Sequence, residues 1–148
     1  MNILFICTGN TCRSPMAEAI LKNAAKQFPQ LKLKVKSAGL SVVYGSSVAT
    51  ETRKVVKQSG IIIRHTPTQI NKKLVSWADL ILTMTEDQAD AIKNALAINN
   101  VYSYGEYVGK NDVADPYGLG MNAYNFVYNQ LVEYTEKLIE KLLYSEKI

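Results

Sequence analysis

Apolar stretches alternate with helix-like patterns along this chain of 148 residues. Apolar runs bounded by turn residues predict strands, and apolar residues spaced three to four apart predict amphipathic helices. Strands are predicted at residues 3–6, 31–37, 78–84 and 101–104, and helices at residues 15 to about 27, 50–59, 86–96 and 121 to about 143. Residues 105–120, rich in glycine and acidic residues, are predicted to be a loop. The alternation predicts an α/β fold, with residues 1–148 as a single domain built on a four-stranded parallel sheet with helices on both faces.

The first connection from strand to helix, residues 7–14, reads CTGNTCRS. Ser14 is placed to cap the following helix, and Pro15 would be its first residue, where proline loses no hydrogen bond. In parallel α/β sheets, ligands bind beyond the carboxyl ends of the strands, and the free amides at a helix N-terminus favour an anion. The nucleotide-binding patterns G-x-x-x-x-G-K-[ST] and G-x-G-x-x-G are missing from the sequence. The segment therefore predicts a phosphate loop of another kind.

The net charge of +4 is unevenly distributed along the sequence. Residues 1–74 carry 12 Lys/Arg and 2 Asp/Glu, whereas residues 75–148 carry 5 and 11. A positive half favours anionic ligands such as phosphate. Nucleic acid is the alternative, but the lysines are scattered and have no aromatic residues between them. Lys32, Lys34 and Lys36 alternate with apolar residues, and we expect them to prevent sheet pairing along an edge strand.

The two cysteines, Cys7 and Cys12, are too few for a secreted disulfide framework and favour a reducing, cytoplasmic setting. The apolar run at residues 3–6 is too short for a signal sequence or a membrane span. We expect a cytoplasmic monomer without a nucleic-acid or membrane partner.

Cys7 and Arg13 face a common centre if the five residues between them curl into a loop. The planar guanidinium of arginine matches two phosphate oxygens at once. A cysteine beside a helix N-terminus and a cation is expected to be ionised at neutral pH, and Ser14 could donate a hydrogen bond to its sulfur. A lone cysteine at a strand end is more often a small buried hydrophobe. The register of Cys7 with Arg13, Ser14 and Pro15 favours the nucleophile instead.

The stretch CTGNTCRSPMAEA resembles the low-molecular-weight protein tyrosine phosphatase family, whose motif is C-x5-R-S close to the start. Other marks of that family follow in order, with SAG at 37–39, ADLILTM at 78–84 and DPYG at 115–118, so the resemblance covers nearly the whole chain. It implies a four-stranded parallel sheet flanked by helices, no metal or other cofactor, phosphorylated proteins as partners, and a phosphocysteine intermediate.

The resemblance also implies three catalytic roles. Cys7 would attack phosphorus, Arg13 would hold the equatorial oxygens, and Asp115 would protonate the leaving group and later activate water. General acid catalysis suits a poor leaving group. Without the resemblance, an aspartate before proline is usually a turn residue.

The phosphate itself would lie within the loop. We expect it to contact Thr8, Gly9, Asn10, Thr11, Cys12, Arg13 and Ser14. Asn10, Ser37 and His65 fall where the family has a hydrogen-bond network that holds this loop in shape. Asn10 tolerates a left-handed backbone. His65 is the only histidine, and we expect it to support the loop rather than to act as the base.

Thr11 is the position that bears on the substrate. Tyrosine-specific relatives usually have an aliphatic residue there, and CTGNTCRS with threonine resembles the bacterial subgroup that acts on protein phosphoarginine. A hydroxyl in the wall suits a polar guanidinium better than an aromatic ring. We therefore expect phosphoarginine, with phosphotyrosine as the alternative. Thr11 as a plain β-branched replacement for isoleucine stays open.

Two tyrosines are candidates for the walls of the substrate site. Tyr44 lies in the variable segment after the second strand and would flank the substrate or cap the core. Tyr117 follows Asp115 closely. Many relatives have a second tyrosine after it, but Gly118 stands there, which puts regulation by tyrosine phosphorylation in doubt.

Cys12 would either trap an oxidised Cys7 as a disulfide or simply pack as a small residue. Arsenate reduction on this scaffold needs a third redox cysteine late in the chain, and none follows Cys12. A phosphate-binding module without activity would be expected to lose Cys7 or Asp115, and both are present.

Overall fold

A computed structural model describes residues 1–146, so the last two residues of the predicted domain lie outside the described part. The strands are β1 (Asn2–Cys7), β2 (Lys34–Gly39), β3 (Leu80–Thr83) and β4 (Val101–Ser103). The helices are α1 (Arg13–Ala25), α2 (Thr50–Lys57), α3 (Lys72–Trp77), α4 (Glu86–Leu96), α5 (Tyr104–Val108) and α6 (Met121–Glu146). The strands form one parallel sheet in the order β2-β1-β3-β4, which confirms the predicted fold class.

Alternate residues of β1 supply the two cores on either side of the sheet, because successive side chains of a strand point to opposite faces. Ile3 and Phe5 pack with residues of α1, α2 and α6, whereas Leu4 and Ile6 pack with residues of α3 and α4. All four are fully buried. Each such side chain contributes about 1.5–3 kcal/mol through removal from water. The central strand is thereby fixed, together with the loop that follows it.

The start of α1 differs from the prediction. The helix begins at Arg13 with Cys12 as its N-cap, no side chain caps it, and Pro15 is its third residue. The Ser14 hydroxyl contacts the Cys7 sulfur and the Asn10 amide. The predicted cap was wrong because this hydroxyl has partners in the loop rather than at the helix end.

The second strand was predicted to start too early. Pro29–Leu31 form a single 3-10 turn, and Lys32 adopts a left-handed backbone with φ 50°. Lys32 therefore lies outside the strand, whereas Lys34 and Lys36 are exposed on β2, an edge strand. The helix predicted at 86–96 has those bounds in the structure, and the other predicted strands and helices differ from it by at most three residues at either end.

Two short helices were not predicted. α3 begins after Asn71, whose side-chain oxygen accepts from the Leu74 amide at 2.9 Å. α5 begins after Ser103, whose hydroxyl accepts from the Glu106 amide at 3.1 Å, so the predicted loop is wrong at 105–108. Such short helices have too few turns to show a periodic apolar pattern. Within residues 1–146, no helix has the length and apolar character needed to cross a membrane.

Candidate active site

The loop after β1 curls back on the residue at the end of that strand. The backbone amide of Asn10 lies 3.3 Å from the Cys7 sulfur, and Asn10 has a φ of 57°. Asparagine enters this left-handed region at low cost. Cys7 is the last residue of β1, an inner strand with β2 on one side and β3 on the other. The strand order reverses at this point, and ligands of parallel α/β sheets bind at such points.

The side chain of Asn10 joins four groups around the loop. Because a backbone N–H can only donate, the Thr68 amide at 2.9 Å identifies the Asn10 atom that it contacts as the oxygen. The other side-chain atom is therefore the nitrogen, which donates to Ser14 Oγ at 2.8 Å and to Ser37 Oγ at 3.0 Å. His65 Nε2 donates to the same oxygen at 2.7 Å. Asn10 is fully buried, and this set uses all of its donors and its acceptor oxygen.

The hydrogen-bond directions lead from the network to the sulfur. Ser14 Oγ accepts from Asn10, so its own hydrogen is free to donate to Cys7 Sγ, 2.8 Å away. Cys7 thus has two donors, the Ser14 hydroxyl and the Asn10 amide. Donors aimed at a sulfur stabilise negative charge on it.

Glu18 anchors the far side of the network, a role that the sequence analysis missed. Ser37 Oγ donates to Glu18 Oε1 at 2.7 Å, and His65 Nδ1 lies 3.7 Å from the same oxygen. Burial lowers the pKa of His65, while the Glu18 carboxylate acts in the opposite direction. Glu18 lies one helical turn after Ser14 on the same face of α1, and this spacing was the available signal.

Gly39 allows the loop to approach β2. A side-chain carbon at Gly39 would lie 2.7 Å from the Thr8 carbonyl oxygen and 2.7 Å from a methyl of Val42. The Ser41 amide donates to that carbonyl at 2.9 Å, and the Leu40 amide donates to the Cys7 carbonyl at 3.0 Å. The glycine of the SAG stretch is thus required by close contact between two backbone segments.

Gln88 holds the other side of the loop. Its Nε2 donates to Thr8 Oγ1 at 3.1 Å, and its Oε1 accepts from the backbone amides of Met84 and Thr85 at 3.0 and 3.2 Å. Gln88 also completes a capping box with Thr85 at the start of α4. The T-x-x-Q pattern at residues 85–88 is a known start signal for a helix, although it does not reveal the contact with Thr8.

Arg13 and Asp115 meet at the mouth of the loop. Arg13 Nη2 lies 3.5 Å from Asp115 Oδ2, and Nη1 donates to the Val113 carbonyl at 3.2 Å. The Arg13 side chain is buried, whereas that of Asp115 is 59% exposed. Asp115 Oδ1 accepts from the Tyr117 amide at 3.1 Å, so the turn after the aspartate fixes its carboxylate.

A cavity of about 560 Å³ opens over the loop. Its lining includes most of the predicted site residues and several from the segment after β2: Cys7, Thr8, Gly9, Thr11, Cys12, Arg13, Ser41, Val43, Ser46, Ser47, Ala49, Asp115 and Tyr117. Asn10 and Ser14 do not line the cavity, because their side chains bond to each other on the buried side of the loop. Tyr44 does not line it either, because its side chain points fully into solvent while its neighbour Val43 reaches the cavity.

Cys12 lies against Tyr124 of α6. Its sulfur is 3.1 Å from the Tyr124 hydroxyl and 3.6 Å from the Thr11 hydroxyl. Burial, and then the contact with Cys12, raise the pKa of Tyr124. Both cysteines are free and buried. No sequence signal predicts this contact, because the two residues are 112 positions apart.

The described residues hold no group of three or more His, Cys, Asp and Glu side chains that could bind a metal ion. The chemistry available at this site is that of a sulfur nucleophile, a guanidinium and a carboxylate around one cavity. These groups suit the transfer of a phosphoryl group onto sulfur.

Comparison with known proteins identifies the family. The family model for low molecular weight phosphotyrosine protein phosphatase matches residues 2–147, so the chain belongs to this family and the resemblance is confirmed. A protein-arginine-phosphatase from Geobacillus stearothermophilus is 38% identical, over 95% of each chain. The low molecular weight protein-tyrosine-phosphatase PtpB of Staphylococcus haemolyticus is 34% identical, over 93% of this chain and 97% of that protein.

The solved structures include a similar enzyme in a phosphorylated form. It is the YwlE arginine phosphatase, as a mutant with serine in place of cysteine and with that active-site serine phosphorylated. The TM-score is 0.91 at 32% identity, and the match covers 96% of this chain and 95% of that one.

Proposed function

We propose that this protein is a phosphoprotein phosphatase that removes the phosphoryl group from arginine side chains of proteins. The observation that carries the activity is the geometry at Cys7, whose sulfur accepts two hydrogen bonds beneath a cavity that Arg13 and Asp115 also line. The phosphorylated active-site serine of the YwlE mutant supports a covalent phosphoenzyme, because serine stands there in place of the attacking cysteine.

The reaction proceeds in two displacements at phosphorus. Cys7 Sγ forms a bond to phosphorus as the bond from phosphorus to the leaving atom breaks, and Asp115 gives its proton to that atom. Water then attacks the thiophosphate, Asp115 takes a proton from the water, and the bond between sulfur and phosphorus breaks to release inorganic phosphate. Arg13 neutralises charge on the equatorial oxygens during both steps.

The loop amides are the second part of the phosphate site. The backbone of residues 8–14 wraps around the position above Cys7, and the Asn10 network holds it in that shape before the substrate arrives. A preorganised set of donors stabilises the charge of the transition state without reorganisation at the moment of reaction. The positions of Ser37 and His65 behind the loop support a positioning role for both.

Thr11 supports arginine as the substrate residue. It lines the cavity, and its backbone is fixed by the Ala49 amide, which donates to its carbonyl at 3.0 Å. Thr11, Ser41, Ser46 and Ser47 are the hydroxyl-bearing residues of this part of the wall, which also has apolar parts such as Val43 and Ala49. A guanidinium can bond to such a wall, whereas a phenyl ring leaves it unpaired. The relative from Geobacillus stearothermophilus is itself named a protein-arginine-phosphatase.

Phosphotyrosine is the second candidate. Tyr117 and Val43 add exposed apolar surface at the mouth, where a ring could pack, and the PtpB relative is named a tyrosine phosphatase. Tyr44 has the exposure needed to contact a bound protein chain outside the cavity.

The test compares kcat/KM on two peptides of identical sequence that carry either phosphoarginine or phosphotyrosine. Wild type should prefer phosphoarginine, and Thr11→Ile should shift the ratio towards phosphotyrosine, because it removes the hydroxyl and adds an apolar wall. Cys7→Ser should turn over neither peptide. An unchanged ratio in Thr11→Ile would mean that Thr11 is only a packing residue, and full activity in Cys7→Ser would refute the covalent mechanism.

A further inference from the structure

One residue that lines the cavity has a hydroxyl group that is closed off from solvent and lacks a hydrogen-bond partner among the described residues. Ser46 Oγ is buried and contacts no donor or acceptor among the described residues, and it is the single side-chain oxygen or nitrogen of this kind in that part of the chain. A buried hydroxyl without a partner costs folding free energy, so such groups are rare and call for an explanation. Ser46 lines the same cavity as Cys7 and Asp115.

The other hydroxyl groups of the wall differ from Ser46 in their surroundings. Thr8 Oγ1 accepts from Gln88, and Thr11 Oγ1 contacts the Cys12 sulfur. Ser41 and Ser47 are exposed, so water can reach them. Only Ser46 combines a buried hydroxyl with the lack of a partner among these lining residues.

The backbone around Ser46 leaves room for a small adjustment. The Ser46 amide donates to the Val43 carbonyl at 3.1 Å, which closes a turn with Tyr44 and Gly45 at its tip. Gly45 has a φ of 78° with no atom within 4 Å of the position of a side-chain carbon, and Tyr44 is fully exposed. No packing therefore holds the tip of this turn in place. A change of one side-chain rotamer can direct the Ser46 hydroxyl into the cavity that the residue lines.

We propose that Ser46 is a specificity-determining residue whose hydroxyl accepts a hydrogen bond from a guanidinium N–H of phosphoarginine, an inference that rests on the proposed phosphatase function. The phosphoryl group occupies the loop above Cys7, and the guanidinium attached to it lies further out, between Asp115 and the segment that contains Ser46. A tyrosine ring has no N–H to donate. The hydroxyl thus gains its missing partner from one substrate and not from the other.

The experiment compares Ser46→Ala with wild type on the matched phosphoarginine and phosphotyrosine peptides. KM for the phosphoarginine peptide should rise about tenfold, the effect of one hydrogen bond to a charged group, while KM for the phosphotyrosine peptide changes less than twofold. The melting temperature of the free variant should stay the same or rise, because the removed hydroxyl had no partner there. Ser76→Ala, at an exposed serine of α3 that does not line the cavity, should keep the wild-type ratio of the two KM values.

Three results would overturn the inference. Equal changes of KM for both peptides, or no change for either, would exclude a contact with the guanidinium. A lower melting temperature of Ser46→Ala would show that the hydroxyl is already bonded in the free protein. The same shift of preference in Ser76→Ala would show that the change does not come from a contact in the cavity. The test of Ser46 compares the KM values of a variant with those of wild type, so it does not depend on which peptide wild type prefers. A wild type that prefers the phosphotyrosine peptide would refute the proposed substrate. A rise of KM for the phosphoarginine peptide alone in Ser46→Ala would still support the contact.

Discussion

Arg13 Nη2 and Asp115 Oδ2 lie 3.5 Å apart at the mouth of the cavity, although the two residues come from opposite ends of the chain. The contact places the proposed general acid beside the proposed phosphate-binding group. Since the Asp115 side chain is largely exposed, the leaving group of a bound substrate can reach it.

The first prediction concerns that carboxylate. Asp115→Asn should lower kcat/KM for phenyl phosphate by about 10²–10⁴-fold, because the poor leaving group then departs without a proton, and kcat/KM excludes the later hydrolysis step that both esters share. The loss on 4-nitrophenyl phosphate should be smaller, because nitrophenolate leaves readily. Steady-state kinetics on the two esters measure the difference.

The control for this prediction is Asp112→Asn in the same segment. Asp112 Oδ1 accepts from the Glu86 amide at 3.0 Å, and asparagine keeps that acceptor while it removes the charge. Its kcat/KM should remain within about twofold of wild type. An Asp115→Asn variant that loses the same factor on both esters would argue against general acid catalysis.

The second prediction concerns the network behind the loop. Asn10→Ala should destabilise the protein by about 3 kcal/mol, because the buried Ser14 and Ser37 hydroxyls each lose a donor and His65 Nε2 loses its acceptor. kcat should fall as well, since Ser14 then no longer has a fixed orientation towards Cys7. Urea unfolding and single-turnover kinetics measure the two effects. A variant of normal stability would show that water replaces the asparagine side chain.

The third prediction concerns the close approach of β2 to the loop. Gly39→Ala should lower the melting temperature by several degrees, because its methyl group would lie 2.7 Å from the Thr8 carbonyl oxygen. Gly9→Ala is the matched control, since the nearest atom to its added carbon is 3.8 Å away. Thermal unfolding of the two variants should differ clearly, and equal melting temperatures would contradict the contact.

The fourth prediction concerns oxidation of the cysteines. Hydrogen peroxide should oxidise Cys7 to a sulfenic acid, and the Cys12 thiol should then displace hydroxide from that sulfur to form a disulfide, with release of water. Activity of wild type should return on reduction with a dithiol, whereas Cys12→Ser should lose activity irreversibly. Mass mapping should find a Cys7–Cys12 bond in wild type. If Cys7 over-oxidises in wild type without that bond, Cys12 is only a packing residue.

The phosphate loop could be predicted from the sequence because the residues that form it are close together in the chain. Cys7, Arg13 and Ser14 lie within eight positions between an apolar strand and a helix, so a short stretch of sequence contains the nucleophile and the cation together. The four strands and the longer helices were also predictable, because period-2 and period-3.6 apolar patterns follow directly from the geometry of strands and helices.

Other features depended on competition between partners. Ser14 has the side chain of a helix cap, and sequence rules place it there, but its hydroxyl is bonded to Asn10 and Cys7 instead. Tyr44 lies in the segment expected at the mouth, yet Val43 is the residue that reaches the cavity. Ser14 has two possible sets of hydrogen-bond partners, and Tyr44 and Val43 are alternative residues for one place in the cavity wall. The packed structure selects between the alternatives in each case.

The amino-acid sequence by itself determined the class of fold and predicted Cys7 and Arg13 as the candidate nucleophile and cation, because each follows from a pattern of neighbouring residues. The tertiary structure alone decided which distant groups complete the site: Gln88 on Thr8, 80 positions away, and Tyr124 on Cys12. The physical reason is that a hydrogen bond between distant side chains depends on how helices pack against the sheet. The helix and strand propensities of individual residues do not specify that packing.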